Sequence, residues 1–311
     1  MSKISVIGSG FSGLSTAAFL AKNGHQVNVF EKNANIGGRA RQFEAEGYKF
    51  DMGPSWYWMA DVFDKFFAQF DKKTSEYFEL IQLDPGFQII FEKEKTIKLS
   101  SDWSEVCKMF EDFEKGSSKK LEEFMKEAEF KYDFGINQLV YEPGLSLSEV
   151  CKPELFSNIF KLQVFTSYRK HVAKYFNNQY LKSLLEFPVL FLGTAPSQTP
   201  ALYSLMTYSG IKKGTFYPMG GFGKVIDAFK EICLEQGVEF HTNEAVHSVN
   251  IKDKTIQSIV TDKRTFETDV LVGSADYNHV DSQLIPKKFR NYNESYWQRR
   301  TFSPSSLLFY I

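Results

Sequence analysis

Three glycines near the start of the chain stand where a phosphate could rest. Gly8, Gly10 and Gly13 hold the G-x-G-x-x-G spacing and directly follow the apolar run Ile4, Val6 and Ile7. Gly8 permits a tight turn, Gly10 lets a pyrophosphate reach the bare backbone, and Gly13 lets a helix lie close to the strand. Ser9, Phe11 and Ser12 fill the turn and open the helix, whose unpaired N–H groups and dipole favour an anion. Glu31 completes the pattern. It stands 18 residues beyond Gly13 (31 − 13), after Val27-Asn28-Val29-Phe30, near the spacing of a carboxylate that binds a ribose hydroxyl. A carboxylate suits a free 2′-hydroxyl, whereas a 2′-phosphate would call for an arginine. Strand, glycine turn, helix, second strand and acid fall in register, so a dinucleotide site, for NAD or FAD, is expected rather than a plain glycine turn.

The next segment separates those two cofactors. Glu31, then Lys32 and four more residues, then Gly37-Gly38-Arg39 resembles the E-x(5)-G-G-R extension of the flavoprotein family of amine oxidases, protoporphyrinogen oxidases and carotenoid desaturases. The resemblance implies FAD, with Lys32, Gly38 and Arg39 among its contacts. Phe50-Asp51-Met52-Gly53-Pro54-Ser55-Trp56 resembles the F-D-x-G-P stretch of the carotenoid desaturases, which puts Gly53, Pro54 and Ser55 near the flavin. Phe216-Tyr217-Pro218-Met219-Gly220-Gly221 resembles their Y-P-x-G-G segment, leading into a helix over about 224–236. The resemblance also implies that the backbone at Val246 brackets the adenine; a core strand valine accounts for that residue equally well. Residues 269–275 read as a buried strand that returns beside the nucleotide-binding unit. The order of these pieces is most similar to bacterial-type phytoene desaturases.

These motifs need an α/β scaffold. The expected fold is a Rossmann-like FAD-binding domain with an inserted α+β substrate domain. Its parts are 1–110 (first FAD-binding part), 111–210 (substrate and membrane-contact domain), 211–290 (second FAD-binding part) and 291–311 (start of a further substrate-domain segment). Tyr77 to Leu83, Phe87 to Phe91 and Thr96 to Leu99 read as short strands around an Asp84-Pro85-Gly86 turn. The middle block is rich in Lys, Glu and Phe at helical spacing, as in Leu121, Phe124, Met125 and Ala128. The chain stops in an apolar stretch, Leu307-Leu308-Phe309-Tyr310-Ile311. Since the family continues with another glycine-rich segment, the resemblance implies C-terminal truncation.

Bulk composition narrows the partners. Of 311 residues 43% are hydrophobic, enough for a folded core, and the formal net charge of −1 makes nucleic acid no obvious partner. Cys107, Cys151 and Cys233 form no CxxC pair and read as reduced thiols. The five histidines make no metal-type cluster, so no metal is expected. Phe, Trp and Tyr reach 16%, which suits both a core and a pocket for a long apolar substrate. Leu155, Phe156, Ile159, Phe160, Val164 and Phe165 fall on one helical face beside Lys152, Lys161, Arg169, Lys170 and Lys174. That pattern fits peripheral membrane contact or an ordinary packed helix.

The resemblance implies desaturation of a phytoene-like, lipophilic polyisoprenoid by hydride transfer to FAD, in a cytoplasmic protein peripheral to the inner face of the cell membrane. A quinone or oxygen would take the electrons. Asp51, Glu186 and Tyr217 are available as acids or bases, but none stands out, so no catalytic residue is assigned. The alternatives are a flavoenzyme of the same fold on another substrate (an amine oxidase or carotenoid isomerase) and a non-catalytic flavin-binding fragment.

Overall fold

The computed structural model describes residues 1–92, 95–142, 145–146, 158, 160–303 and 307–310. In chain order the elements used below are β1 (Lys3–Ile7), α1 (Phe11–Lys22), β2 (Gln26–Phe30), β3 (Gln42–Ala45), β4 (Tyr48–Asp51), α2 (Ala60–Ala68), β5 (Leu80–Gln82), β6 (Phe87–Glu92), β7 (Lys95–Leu99), α3 (Trp103–Phe113) and α4 (Ser117–Asn137). They continue with α5 (Tyr168–Tyr175), α6 (Gln179–Glu186), β8 (Phe216–Pro218), α7 (Phe222–Glu235), β9 (Glu239–His241), β10 (Val246–Lys252), β11 (Thr255–Thr261), β12 (Thr265–Glu267) and β13 (Val270–Gly273).

The central sheet gathers strands from both ends of the chain. Its order is β13-β1-β2-β9 and its ladders are parallel, with Val6 opposite both Val29 and Val272. Residues near 1–30 and 239–273 thus build one layer, as a βαβ start with later returning strands requires. Helices α1 and α7 pack together on it through Leu14, Ala17, Ala18, Val225, Phe229 and Ile232, all buried. Phe229 stacks on Phe66 of α2 with centroids 4.2 Å apart and meets Phe11 edge-on at 5.2 Å. A second core lies among α3 to α6, around Phe110, Leu121, Phe124, Tyr168, Val172, Phe176, Leu181 and Leu184. Asp102, Ser167 and Asn178 cap α3, α5 and α6 by accepting backbone N–H bonds.

Three expectations need correction. The strand read over Tyr77 to Leu83 shrinks to β5, whose partner is β8, far along the chain; Phe78 instead buries its ring in the nucleotide-side core. The strand read as buried at 269–275 is β13, paired to β1 alone among the described residues, so Val270 keeps 43% exposure. The apolar helical face in the middle block does not run its full length. Leu155, Phe156, Ile159 and Lys152 lie outside the described residues. Gln163 takes a left-handed backbone (φ 54°), and Val164 and Phe165 sit in a turn beyond it. Among the described residues no helix is long and apolar enough to cross a membrane.

Candidate functional site

The glycine turn after β1 is built as tightly as its spacing demands. Gly8 adopts φ +97° and donates its N–H to the Phe30 carbonyl at 2.9 Å. A Cβ at Gly13 would overlap the Gly8 carbonyl and crowd the Ser274 hydroxyl, so only glycine lets α1 start there. Gly10 takes the N-cap position of α1 with no side-chain cap, and the first turn holds no acidic residue. The Ser12 hydroxyl meets Ser274 at 2.7 Å. Phe11 is different: its ring packs on Phe63 and Phe229 in the core.

The second glycine pair folds directly onto the first turn. Gly37 donates its N–H to the Ser9 carbonyl at 2.9 Å. A Cβ at Gly38 would lie 3.0 Å from the Gly10 Cα. The two loops therefore form one side-chain-free cradle, with exposed Arg39 at its rim. The Phe50–Trp56 stretch joins the same rim, because Gly53 presses on the Arg39 carbonyl and Met52 donates its N–H to Arg41 at 3.0 Å. Pro54 and Ser55 are exposed beside it.

Glu31 is buried at the end of β2, yet its carboxyl stays below the usual carboxylate range. Burial acts to raise it; hydrogen bonds from the Ser9 hydroxyl, the backbone N–H groups of Asn33 and Ser9, and the Asn33 amide outweigh that. Oε2 accepts the Ser9 hydroxyl at 2.6 Å and the Ser9 N–H at 3.2 Å. Oε1 accepts the Asn33 amide at 2.6 Å and the Asn33 N–H at 3.0 Å. Lys32 is exposed between them. The loop after β9 lies alongside: Glu244 donates its N–H to the Glu31 carbonyl and Asn243 to that of Asn33, both at 3.0 Å. Val246 follows, its side chain buried with Ile7 and Phe30.

The three acid–base candidates are not gathered together. Asp51 accepts from Gln42 at 3.0 Å beside Gly221. Burial and that same carboxylate raise the Tyr217 phenol. Glu186 belongs to the helical layer, where it pairs with Arg169 at 3.1 Å. Sequence reasoning missed Asn33, Gln42, Glu244 and Ser274. Only Ser274 left a trace, as one of the small residues ending the returning strand.

A family model described as flavin containing amine oxidoreductase matches residues 11–305. The chain belongs to that family. It is 35% identical to a carotenoid 3,4-desaturase of Haloarcula japonica, over 99% of this chain and 62% of that one. It is 33% identical to a phytoene desaturase of Cercospora nicotianae, over 98% of this chain and 50% of that one. It thus spans about half to three fifths of the length of these relatives. The fold is shared with cyclohexylamine oxidase from Brevibacterium oxydans (TM-score 0.55, 17% identity, 91% of this chain and 60% of that one). The family cofactor is FAD, and the residues present fit it. The bare glycine cradle and uncapped helix start suit a diphosphate, and an ionised carboxylate one strand away suits a ribose diol.

Proposed function

We propose that this protein holds FAD in the glycine cradle and desaturates a long apolar polyisoprenoid of carotenoid type. Gly8 and Ser9 would shape the turn, their own N–H groups being taken by Phe30 and Glu31; Gly10, Phe11, Ser12 and Gly13 at the start of α1 would offer backbone N–H groups to the diphosphate, with Gly38 and Arg39 closing over it. Glu31 would take the adenosine ribose beside Lys32, and the Val246 backbone the adenine. Bound FAD supplies a hydride acceptor. The chain's own task is then to lay an apolar substrate beside it and keep water out.

One observation carries the substrate reading. Directly after Gly53-Pro54-Ser55, successive side chains alternate between the two cores. Tyr57 is buried on the nucleotide side, whereas Trp56 packs on the helical side. Trp56 and Trp58 are nearly parallel at 6.0 Å, and Phe191 stands edge-on to both at 6.0 and 5.5 Å. The Trp58 ring is held by its indole N–H to Thr215 at 2.9 Å and leaves no room for a side chain at Gly210. Phe191 and Leu190 keep 56% and 52% exposure. The result is a firm aromatic face opening from the cofactor rim, suited to a flat chain without polar handles. The desaturase names of the relatives support the same substrate class. A quinone or oxygen is the fitting electron acceptor.

Exposed Phe160 and Phe165, near Lys161 and Lys170, support peripheral contact with the inner face of the cell membrane, where such a substrate resides. Co-sedimentation with anionic liposomes checks that contact.

Tryptophan emission tests the aromatic face, because two of the four tryptophans, Trp56 and Trp58, lie in it. A polyene absorbing in that emission range should quench the wild type. Phe191→Asp should abolish the quenching and leave flavin binding intact. Undiminished quenching in the variant would count against the site.

A further inference from the structure

Ser9 and Asn33 divide the Glu31 carboxylate between them. Each oxygen accepts one backbone N–H and one side-chain donor, all between 2.6 and 3.2 Å. A carboxylate offers about four acceptor sites in all. A ribose diol reaching Glu31 must therefore exchange with one of these donors.

The two sides are not equally free to yield. Ser9 is wholly buried. Its N–H is committed to Glu31 and its carbonyl to the Gly37 N–H, so moving it would pull the two glycine loops apart. Asn33 is only half-buried. Its backbone is pinned, since its carbonyl accepts from Asn243 and its own N–H reaches Glu31. Its side chain alone can turn outward into solvent without disturbing either strand.

We propose that the Asn33 side-chain amide holds the place of the ribose diol on Glu31, and swings aside when the adenosine end of FAD seats. Asn33 is thus a gate on cofactor binding. It keeps a buried carboxylate supplied with donors before the cofactor arrives, and it weakens cofactor affinity in proportion to how rarely it stands open. If the open state is about a tenth of the population, the apparent affinity is about tenfold weaker than that of an ungated site. The inference rests on the FAD reading of the site and adds a residue to it whose effect has the opposite sign to that of the cradle residues.

The test uses the full chain stripped of flavin and titrated with FAD, following flavin fluorescence. Asn33→Ala should bind FAD about tenfold more tightly, mainly through faster association. Asn33→Ser, a shorter donor, should fall between it and the wild type. Thermal melting supplies a second readout. Without FAD, Asn33→Ala should melt below the wild type, having lost a donor to a buried carboxylate; with saturating FAD the two should melt together. Affinity that is unchanged or weaker in Asn33→Ala would overturn the gate, because the amide would then be a bystander or a direct cofactor contact. A wild-type chain that takes up no FAD would overturn the cofactor reading and the gate with it. A wild type that binds FAD beside an Asn33→Ala variant that binds no better would overturn the gate alone.

Discussion

The nucleotide-side sheet and the helical layer solve different problems. Around Gly8, Gly13, Gly38 and Gly53 the backbone touches backbone, and a single added carbon has nowhere to go. Among α3 to α6 the contacts run between side chains, and many apolar residues of similar volume would fill the same space. The first region is built for a ligand that needs bare N–H groups. The second is a packed apolar core; under the proposed function it would back the aromatic face on which a long hydrocarbon lies. The contrast teaches where function constrains the chain atom by atom and where it constrains only composition.

Matched substitutions can break that contrast. The largest effect is expected for Gly13→Ala, whose Cβ would overlap the Gly8 carbonyl. It should cost about 3 kcal/mol or more of stability and abolish flavin retention, as read by urea denaturation and the flavin-to-protein absorbance ratio. Next comes acid. Burial, then the charges of Lys131 and Lys174, push the His171 imidazole down to about 3, despite Glu127 at 3.6 Å. The folded imidazole is therefore neutral where the unfolded one takes a proton. Stability should fall as pH drops from about 6.5 toward 3, by about 3 kcal/mol between pH 7 and pH 4 for this residue. His171→Leu should flatten that limb of the denaturation midpoints.

Glu31→Gln removes the charge and half the acceptor capacity at the ribose position. FAD affinity should fall roughly ten- to a hundredfold, or about 1.4 to 2.8 kcal/mol. The smallest effect is expected for Gly135→Ala in α4. Its Cβ would meet only the Leu205 side chain at 3.3 Å, and alanine is favoured over glycine in a helix by up to about 1 kcal/mol. Denaturation should shift by less than about 1 kcal/mol. If Gly13→Ala and Gly135→Ala behaved alike, the contrast between the regions would be lost.

The same contrast explains what the sequence made legible. The glycine spacing, Glu31 and the parallel order of β1 and β2 were readable because each follows from a local steric demand. The helix after Gly221 was readable because its apolar residues repeat at the helical period. The pairing of β5 with β8 was not, since it joins segments more than a hundred residues apart and neither carries the register alone. The helix end at Gln163 was hidden for a related reason. A non-glycine residue takes a left-handed conformation there while its side chain accepts from buried Lys131 at 3.0 Å and donates to Glu127 at 3.2 Å. Asn33 counted only as one of the five residues between Glu31 and Gly37, because its contact depends on a carboxylate whose other oxygen is already taken by Ser9.

Under the proposed function, a flavin held by the cradle is reduced by an apolar polyisoprenoid laid on the face of Trp56, Trp58 and Phe191. The most direct measurement is anaerobic mixing of the FAD-loaded protein with a phytoene-like polyisoprenoid in liposomes, and separately with primary amines, while recording absorbance. Loss of the oxidised-flavin band with the polyisoprenoid alone, together with new longer-wavelength polyene absorption, is the expected result. Bleaching by amines with none by the polyisoprenoid would contradict it.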